Sequence, residues 1–594
     1  MSPRVDAEWA PTRRISFFAL LLVVSCVCGL YVYSLGGSTA YLRMAVAVGR
    51  SPVWREAEGG CFLPDIDPWD PAMRRYLRPT VWPPCTPAYP QRSRLFFNGT
   101  LLVKGGEGEE CFHRCHEMLD DRRVVLSKWV RGEQTPAGHW TAAPACDVLE
   151  VKCALADGNT TFKYMHSQIA HRPARPDQAG SKICKKGLKK RHFIGDDFAH
   201  YRSMMNEDAS RTIFHHPNCR GFGRLPTDHY MRALMLQVDG RQTANNTPPD
   251  PAFRKLLLKK SCREKHHLVL HHLDQFLRRY PNEPKFSLNW ITNLAHRSPR
   301  DLYHGDGDLL AFFQRHEQRL QNAFVFLMGD HGPSYGKLRN TPTGRLEANN
   351  PLFALVLPAH LRSNVDLQRQ LKENGRRLIS HYDVYATLLE IARVSEEGER
   401  NDHSVCVQYG NEWTNRTEFS TTSFKSENRR LLGASLLHPL LGARDCHSLG
   451  IPFQYCLCQA GHRPSNDTRT AVRIAKAAIK RMNKKLAAAG FDRLCARLKL
   501  DRKWPPEIYE LGGGDFFKVV LRARPRGAIH EVFARLVDGR VKFLVDTFPQ
   551  LTQYNQYAAC IPRGIFLQNY CYCGEPNTYK WWPKRKKHPL QKSG

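Results

Sequence analysis

The chain has 594 residues, of which 42% are hydrophobic and 11 are tryptophan, so intrinsic disorder and a single small core are both excluded. It carries 88 basic and 56 acidic residues, a formal net charge of +32. In an exported protein this excess predicts binding to acidic glycans, phosphate-rich ligands or anionic lipid, and we expect no nucleic-acid partner.

The first predicted element is the apolar run Ile15–Tyr33. Its nineteen residues would reach about 28 Å as a helix, enough to cross a bilayer. Arg13 and Arg14 precede the run, which predicts a cytoplasmic tail, a signal anchor and a type II single-pass protein of the secretory pathway or cell surface. The alternative is a cleaved signal peptide and a secreted protein, because 38–40 (Ser-Thr-Ala) resembles a cleavage site.

Glycosylation acceptors and cysteines agree with export. Two of the 19 cysteines lie in the apolar run, and most of the other 17 should form disulfides in an oxidising compartment, with one left over. The acceptor asparagines of the Asn-X-Ser/Thr motifs are Asn98, Asn159, Asn245, Asn415 and Asn466.

Short strand patterns and four cysteines follow a stem that is rich in proline and tryptophan. They predict a small β module in which the Cys111 and Cys115 pair forms disulfides and does not bind a metal. Residues 155–192 are polar and basic, and predict a linker. The strands expected in the β module are 101–103, 124–126 and 148–151.

Helix and strand patterns then alternate, which is typical of a layered α/β domain. The predicted helices are 253–280, 308–322 and 380–392, and the predicted strands are 286–292, 324–328 and 352–357.

The last part of the chain contains a repeat, because 446–458 resembles 560–573 with one residue inserted. A basic helix over 470–488 and three strands lie between the copies, and predict a disulfide-rich α+β module. In each Cys-x-Cys pair we expect both cysteines to bond elsewhere. The predicted division of the chain is cytoplasmic tail 1–14, anchor 15–35, stem 36–95, β module 96–154, linker and deletion point 155–192, α/β domain 193–440, C-terminal module 441–580 and basic tail 581–594.

The strand predicted at 324–328 ends in Gly329-Asp330-His331-Gly332, which reads as a tight turn. Open α/β sheets build their sites at the carboxyl ends of strands, and Asp and His are ligands for zinc and similar ions. The alternative is a surface turn in which Asp and Gly only shape the backbone.

Four segments in order resemble the second half of the alkaline phosphatase/sulfatase superfamily, and their spacing is most similar to domain-of-unknown-function family 229. The resemblance covers roughly residues 95 to 575, and 226–232 (PTDHYMR) also matches. It implies an α/β fold: a three-layer alkaline-phosphatase-like domain with an incomplete N-terminal part, flanked by the two disulfide-rich modules. The four segments are 286–296 (FSLNWITNLAH), 324–332 (FVFLMGDHG), 344–358 and 380–388.

The same resemblance implies roles for individual residues. Asp330 and His331 would bind a divalent metal ion, zinc or calcium, and His296 would bind the metal or a substrate oxyanion. Lys337 and Arg345 would contact an anionic substrate, although either could be a solvated charge. Asp383 is assigned to a helix cap.

The superfamily also needs an early buried strand that ends in an acidic residue followed by a Ser, Thr or Cys nucleophile. No such strand is visible between the β module and residue 193, and Ser167 and Ser181 have no strand pattern before them. We therefore expect an inactive relative whose metal site is weakened or lost. The alternatives are an active phosphate- or sulfate-ester hydrolase or transferase, and a basic glycan-binding ectodomain.

A weaker pattern is a histidine cluster on the predicted helix 253–280. His267 and His271 are four residues apart, a spacing that can bind a metal on one helix face, but no acidic general base lies between them. A simple helix surface is the stronger interpretation.

Overall fold

The computed structural model describes the backbone of Phe18–Val23 and, with short gaps, residues 61–170, 198–210, 221–240, 250–400, 433–511, 516–552 and 558–573. The chain divides into two compact units. The first unit comprises Met1–Pro333 and Thr341–Ile451, and the second comprises Ser334–Asn340 and Pro452–Gly594.

The first unit contains a six-stranded sheet and two smaller antiparallel sheets. Its strands are β1 Phe18–Val23, β2 Ser93–Leu95, β3 Leu101–Lys104, β4 Glu109–Met118, β5 Val124–Leu126, β6 Val130–Arg131, β7 Glu133–Gln134, β8 His139–Ala142, β9 Val148–Leu155, β10 Thr160–Ser167, β11 Arg202–Glu207, β12 His229–Tyr230, β13 Lys285–Trp290, β14 Ala323–Met328 and β15 Phe353–Val356. Its helices are α1 Pro71–Arg74, α2 Arg232–Val238, α3 Pro251–Arg254, α4 Lys265–Arg279, α5 Asn293–His296, α6 Leu302–His316, α7 Pro342–Glu347, α8 Ala359–Arg362, α9 Val365–Asn374 and α10 His381–Arg400.

The six-stranded sheet has the order β12-β11-β13-β1-β14-β15, and only β15 runs antiparallel to its neighbour. Helices cover both faces. Phe286, Leu288 and Phe326 pack in one apolar cluster with residues of α9 and α10, while Val325 packs on the other face with residues of α4 and α6. Both faces are therefore buried, which explains why the sequence of β14 is continuously apolar. This mixed α/β architecture, with a largely parallel sheet, antiparallel sheets and several disulfides, agrees with the predicted α/β class.

The centre of this sheet is occupied by β1, which pairs in parallel with β13 on one side and with β14 on the other. Phe18–Val23 belongs to the apolar run for which the sequence predicts a membrane anchor, and the rest of that run lies outside the described residues. In the part of the chain that the structure describes, no helix combines the length and apolarity needed to span a bilayer.

The β module consists of a sheet β10-β9-β4-β5, to which β6 adds beside β4, and a sheet β2-β3-β8-β7. The predicted disulfide role of its cysteines is confirmed, because Cys111 bonds to Cys153 and Cys115 to Cys146. The prediction of a linker over 155–192 is wrong for its first part, since β10 pairs with β9 along its length. Ser167 is therefore the last residue of a strand, but that strand belongs to an antiparallel sheet and the residue is buried. Ser181 lies outside the described residues.

The long helix predicted over 253–280 is interrupted. A π-helical turn, Lys255–Lys259, follows α3, and Cys262 adopts a left-handed backbone with φ of 52° while its sulfur bonds to Cys85. A new helix then starts after Glu264, whose side chain accepts a hydrogen bond from the backbone of His267 and whose backbone N–H donates to His267 Nδ1. A left-handed residue breaks the helical repeat, and periodicity alone could not detect this break.

The second unit is an α+β fold in which a long helix packs on an antiparallel sheet, as the sequence predicted. The sheet has the order β16-β18-β19-β20-β21, with β17 beside β19. Cys495–Cys571 and Cys560–Cys573 close the unit, so each cysteine of the second Cys-x-Cys pair bonds elsewhere, as predicted. The elements are β16 Arg463–Ser465, α11 Thr468–Ala488, β17 Lys499–Leu500, β18 Glu507–Leu511, β19 Phe516–Arg524, β20 Ala528–Val537 and β21 Arg540–Phe543.

All fourteen cysteines in the described part of the chain are disulfide-bonded. Such a density of disulfides indicates folding in an oxidising compartment, and therefore the secretory pathway. Three predicted glycosylation acceptors, Asn98, Asn159 and Asn466, are exposed, while Asn245 and Asn415 lie outside the described residues.

Candidate functional site

The carboxyl ends of the parallel strands bring polar residues to one edge of the six-stranded sheet. β14 is followed by Asp330 and His331, β13 by the short helix α5 that ends at His296, and β11 by Asp208. Strands in a sheet are about 4.8 Å apart, so the ends of β13 and β14 are separated by about 10 Å because β1 lies between them. The end of β11 is one strand further from β14.

The turn after β14 aligns a carboxylate and an imidazole. Nδ1 of His331 donates a hydrogen bond to the Gly332 carbonyl at 2.7 Å, so the lone pair of the neutral ring is on Nε2. That Nε2 lies 3.2 Å from Oδ2 of Asp330, while Oδ1 of Asp330 accepts the His331 backbone N–H at 2.6 Å. A backbone carbonyl that fixes the tautomer in this way is typical of metal-binding histidines. Both side chains reach solvent, with 41% of His331 and 19% of Asp330 exposed.

The backbone around this pair is tightly held. A Cβ atom added to Gly332 would lie 2.0 Å from the Glu347 carbonyl oxygen, so only glycine fits the close approach to the end of α7. The Gly332 N–H donates to the Ala348 carbonyl at 3.0 Å. Nε2 of His381, at the start of α10, donates to the Gly329 carbonyl at 3.0 Å. Burial lowers the pKa of His381, which favours the neutral ring beside Asp330 and His331.

His381 and Asp208 are two residues to which the sequence analysis gave no role. Asp208 accepts backbone N–H bonds from Thr292 at 2.9 Å and Asn293 at 2.8 Å, and so holds the start of the helix that carries His296. Burial raises the pKa of Asp208 to about 6, although these hydrogen bonds act in the opposite direction. The signal in the sequence was an acidic pair after the short apolar segment of β11.

The other predicted site residues are more dispersed. His296 is exposed at the end of α5, one turn beyond the strand end where it was expected. Arg345 is half-buried in α7 of the first unit, whereas Lys337 is exposed in a segment that belongs to the second unit. The structure therefore brings together Asp330 and His331 within one turn, and the roles of His296, Lys337 and Arg345 stay predictions.

Asp383 has the structural role that the sequence suggested. It lies in the first turn of α10, where Oδ2 accepts the Ser380 backbone N–H at 2.7 Å and pairs with Arg444 at 2.7 Å. Oδ1 accepts the Ala434 N–H at 2.8 Å. The side chain of Asp383 is fully buried, and it accepts hydrogen bonds from two backbone N–H groups, the Ser380 hydroxyl and Arg444, so it serves the fold.

The histidine cluster on α4 is arranged differently from the predicted pattern. His266 and His267, not His267 and His271, converge on Oδ2 of Asp308 in α6, each at 2.8 Å. Because Nδ1 of His267 already accepts the Glu264 backbone N–H, the proton of its neutral ring is on Nε2 and is donated to Asp308. A metal ion bound at Nε2 of His267 would move the ring proton to Nδ1, and the hydrogen bond from the Glu264 N–H would then be lost. The geometry therefore favours a hydrogen-bonded link between α4 and α6.

The comparison with protein families identifies the chain. The model described as Protein of unknown function (DUF229) matches residues 178–503, more than half of the sequence. The chain belongs to the DUF229 family, which confirms the resemblance drawn from its motifs. The searches of curated proteins and of solved structures gave no match. The alkaline-phosphatase-like character of the α/β domain stays a prediction.

Proposed function

We propose that this chain is an exported, disulfide-bonded member of the DUF229 family that keeps part of a metal-dependent phosphate- or sulfate-ester site and does not turn over esters. The observation that supports the proposal is the turn at Asp330 and His331, where a carboxylate oxygen and an imidazole nitrogen face each other 3.2 Å apart. Such a donor pair suits zinc, and an all-oxygen preference makes calcium the weaker candidate.

Two protein donors are fewer than the four of a closed zinc site and the three of a catalytic one. The residues therefore fit a metal only in part, and we expect weak binding. When bound, such an ion would supply Lewis-acid polarisation of a phosphoryl or sulfuryl oxygen. The contact of Gly332 with α7 and the hydrogen bond from His381 to the Gly329 carbonyl hold Asp330 and His331 in place. Burial favours the neutral ring of His381 beside them.

The position of the serine that follows β11 supports the inactive interpretation. β11 ends in an acidic residue and is followed by Ser210, but β13 and β1 lie between β11 and β14. Ser210 is only 3% exposed, and its backbone N–H is bonded to Asp239. Loss of the nucleophile removes a covalent path that a neighbouring metal ligand does not replace.

The test is hydrolysis of aryl phosphate, phosphodiester and aryl sulfate substrates by the purified chain with added zinc, calcium, magnesium or manganese. We expect no turnover above the metal blank. Metal-dependent turnover that is lost in Asp330→Ala and kept in Asp366→Ala would establish an active hydrolase and overturn the proposal. Asp366 is a suitable control because it forms an exposed ion pair with Arg369 on α9.

For location, we propose the membrane anchorage predicted for the N-terminal apolar run, with secretion after cleavage as the alternative. The disulfides support the secretory pathway for both. The position of β1 in the sheet opposes anchorage by the same residues, and a substitution that separates the two uses is given below.

A further inference from the structure

The long helix of the second unit has one apolar face and one row of cations. Its apolar face is buried against the sheet, with Ala471, Ile474, Ala475 and Met482 fully covered. The opposite face carries five exposed basic residues, spaced four, three, four and four positions apart. These residues, the basic row of α11, are Arg469, Arg473, Lys476, Lys480 and Lys484.

Spacings of three and four place side chains on one face of a helix, and fifteen residues of rise extend the row over about 22 Å. No acidic residue occurs within α11, and the N-cap carboxylate of Asp467 accepts the Thr470 N–H. The nearest basic residues outside the row, Arg481 and Lys485, are both paired with Asp546 at 2.6 and 2.8 Å. The row itself carries no ion pair among the described residues.

Five like charges aligned on a rigid element raise the local positive potential, because within the described residues none of them forms an ion pair and only the N-cap carboxylate of Asp467 lies near the start of the row, beside Arg469. The electrostatic repulsion among these cations decreases when a ligand supplies negative charges at several points along the same line. We propose that the basic row of α11 is a binding surface for a linear sulfated or carboxylated glycan.

Three observations favour a glycan over other polyanions. The disulfides place this unit in the secretory pathway, where such glycans are found. The apolar face of α11 is buried in the core, so the helix cannot insert into a lipid surface as an amphipathic helix does. The helix has no aromatic residue, and so lacks the stacking platform with which proteins hold single-stranded nucleic acid. The proposal does not depend on the pair of Asp330 and His331.

The experiment compares two variants of the full chain that lose the same charge. The row variant changes Arg469, Arg473, Lys476, Lys480 and Lys484 to Gln, which keeps the helix propensity high. The control variant changes five exposed basic residues of the same unit outside the helix, Arg497, Lys499, Arg502, Lys503 and Arg524, to Gln. Circular dichroism and thermal unfolding verify that both variants are folded.

Heparin is the probe, with a desulfated polymer of equal length and phosphatidylserine vesicles as comparisons. We expect the row variant to bind heparin at least about tenfold more weakly at 0.15 M salt, with a shallower dependence on salt, and the control to change by less than about threefold. Equal losses in the two variants, or unchanged binding in the row variant, would overturn the proposal. Stronger binding to the vesicles than to heparin would also overturn it.

Discussion

Nε2 of His331 lies 3.2 Å from Oδ2 of Asp330, and Nδ1 of the same ring donates a hydrogen bond to the Gly332 carbonyl at 2.7 Å, which orients Nε2 towards that carboxylate. The two residues are adjacent in sequence, so their approach is imposed by the turn itself. The close contact of Gly332 with the end of α7 imposes the conformation of this turn.

The first prediction concerns metal binding at this turn. Asp330→Ala and His331→Ala should each weaken zinc binding by about tenfold or more, because each removes one of two donors. Isothermal titration of the purified chain with zinc measures the change, and Asp366→Ala serves as the control. Tight stoichiometric zinc that survives Asp330→Ala would mean that the ligands lie elsewhere in the chain.

The second prediction concerns pH. The pKa of Asp208 is raised to about 6 in the folded chain, above the ordinary aspartate value of 3.8, so its contribution to stability is full below pH 4 and is lost as pH rises through 6. The difference corresponds to about 3 kcal/mol. Urea midpoints of the wild type and Asp208→Asn should therefore diverge between pH 4 and 7, with the wild type losing relative stability. Parallel pH curves would show that folding does not change the pKa of Asp208, and would contradict the prediction.

The third prediction concerns the buried pair of Asp383 and Arg444. Asp383→Ala should reduce the free energy of unfolding by about 3–5 kcal/mol, because it leaves the arginine charge buried and the start of α10 uncapped. Asp366→Ala removes an exposed pair of the same kind and should cost less than about 1 kcal/mol. Chemical denaturation of both variants provides the measurement. Similar losses would mean that burial of the pair is unimportant.

The fourth prediction separates the two uses of the N-terminal apolar run. If Phe18–Val23 is a central strand, Leu21→Asp should make the 250–392 region protease-sensitive, since aspartate is disfavoured in a strand that pairs with a neighbour on each side. Leu30→Asp, in the same run but beyond the strand, should leave that region resistant. If the run is an anchor only, both substitutions should impair membrane insertion and leave the protease pattern of the α/β domain unchanged.

Strands and helices that bury apolar side chains could be predicted from the sequence. β13, β14 and α11 were predicted within two residues of their observed bounds, and the start of α10 within one residue although its end lies eight residues later, because continuous apolar runs or helical periodicity identify them. β10 and β11 were missed because they bury polar side chains in pairs. His166 of β10 lies 2.7 Å from Oγ of Ser93, and Asn206 of β11 donates to Asn289 at 2.8 Å. Such strands resemble loops until their partners are known.

Only the part of the candidate site that is formed by neighbouring residues could be predicted from the sequence. Asp330 and His331 are neighbours in sequence, so their meeting needed no knowledge of the fold. Asp208, His296 and His381 come from three other segments, and their distances depend on the strand order, which no local pattern contains. The position of β1 between β13 and β14 is another long-range feature that no local pattern contains.

The position of β1 also has a consequence for the order in which the molecule is made. Phe18 is synthesised first, yet its partners Lys285 and Ala323 leave the ribosome more than 260 residues later. Such distant pairing carries a high loop-closure entropy and forms slowly. Until then the strand lacks both of its partners, so we expect the nascent chain to expose an unpaired apolar strand during about half of its synthesis, a period in which it is prone to aggregation.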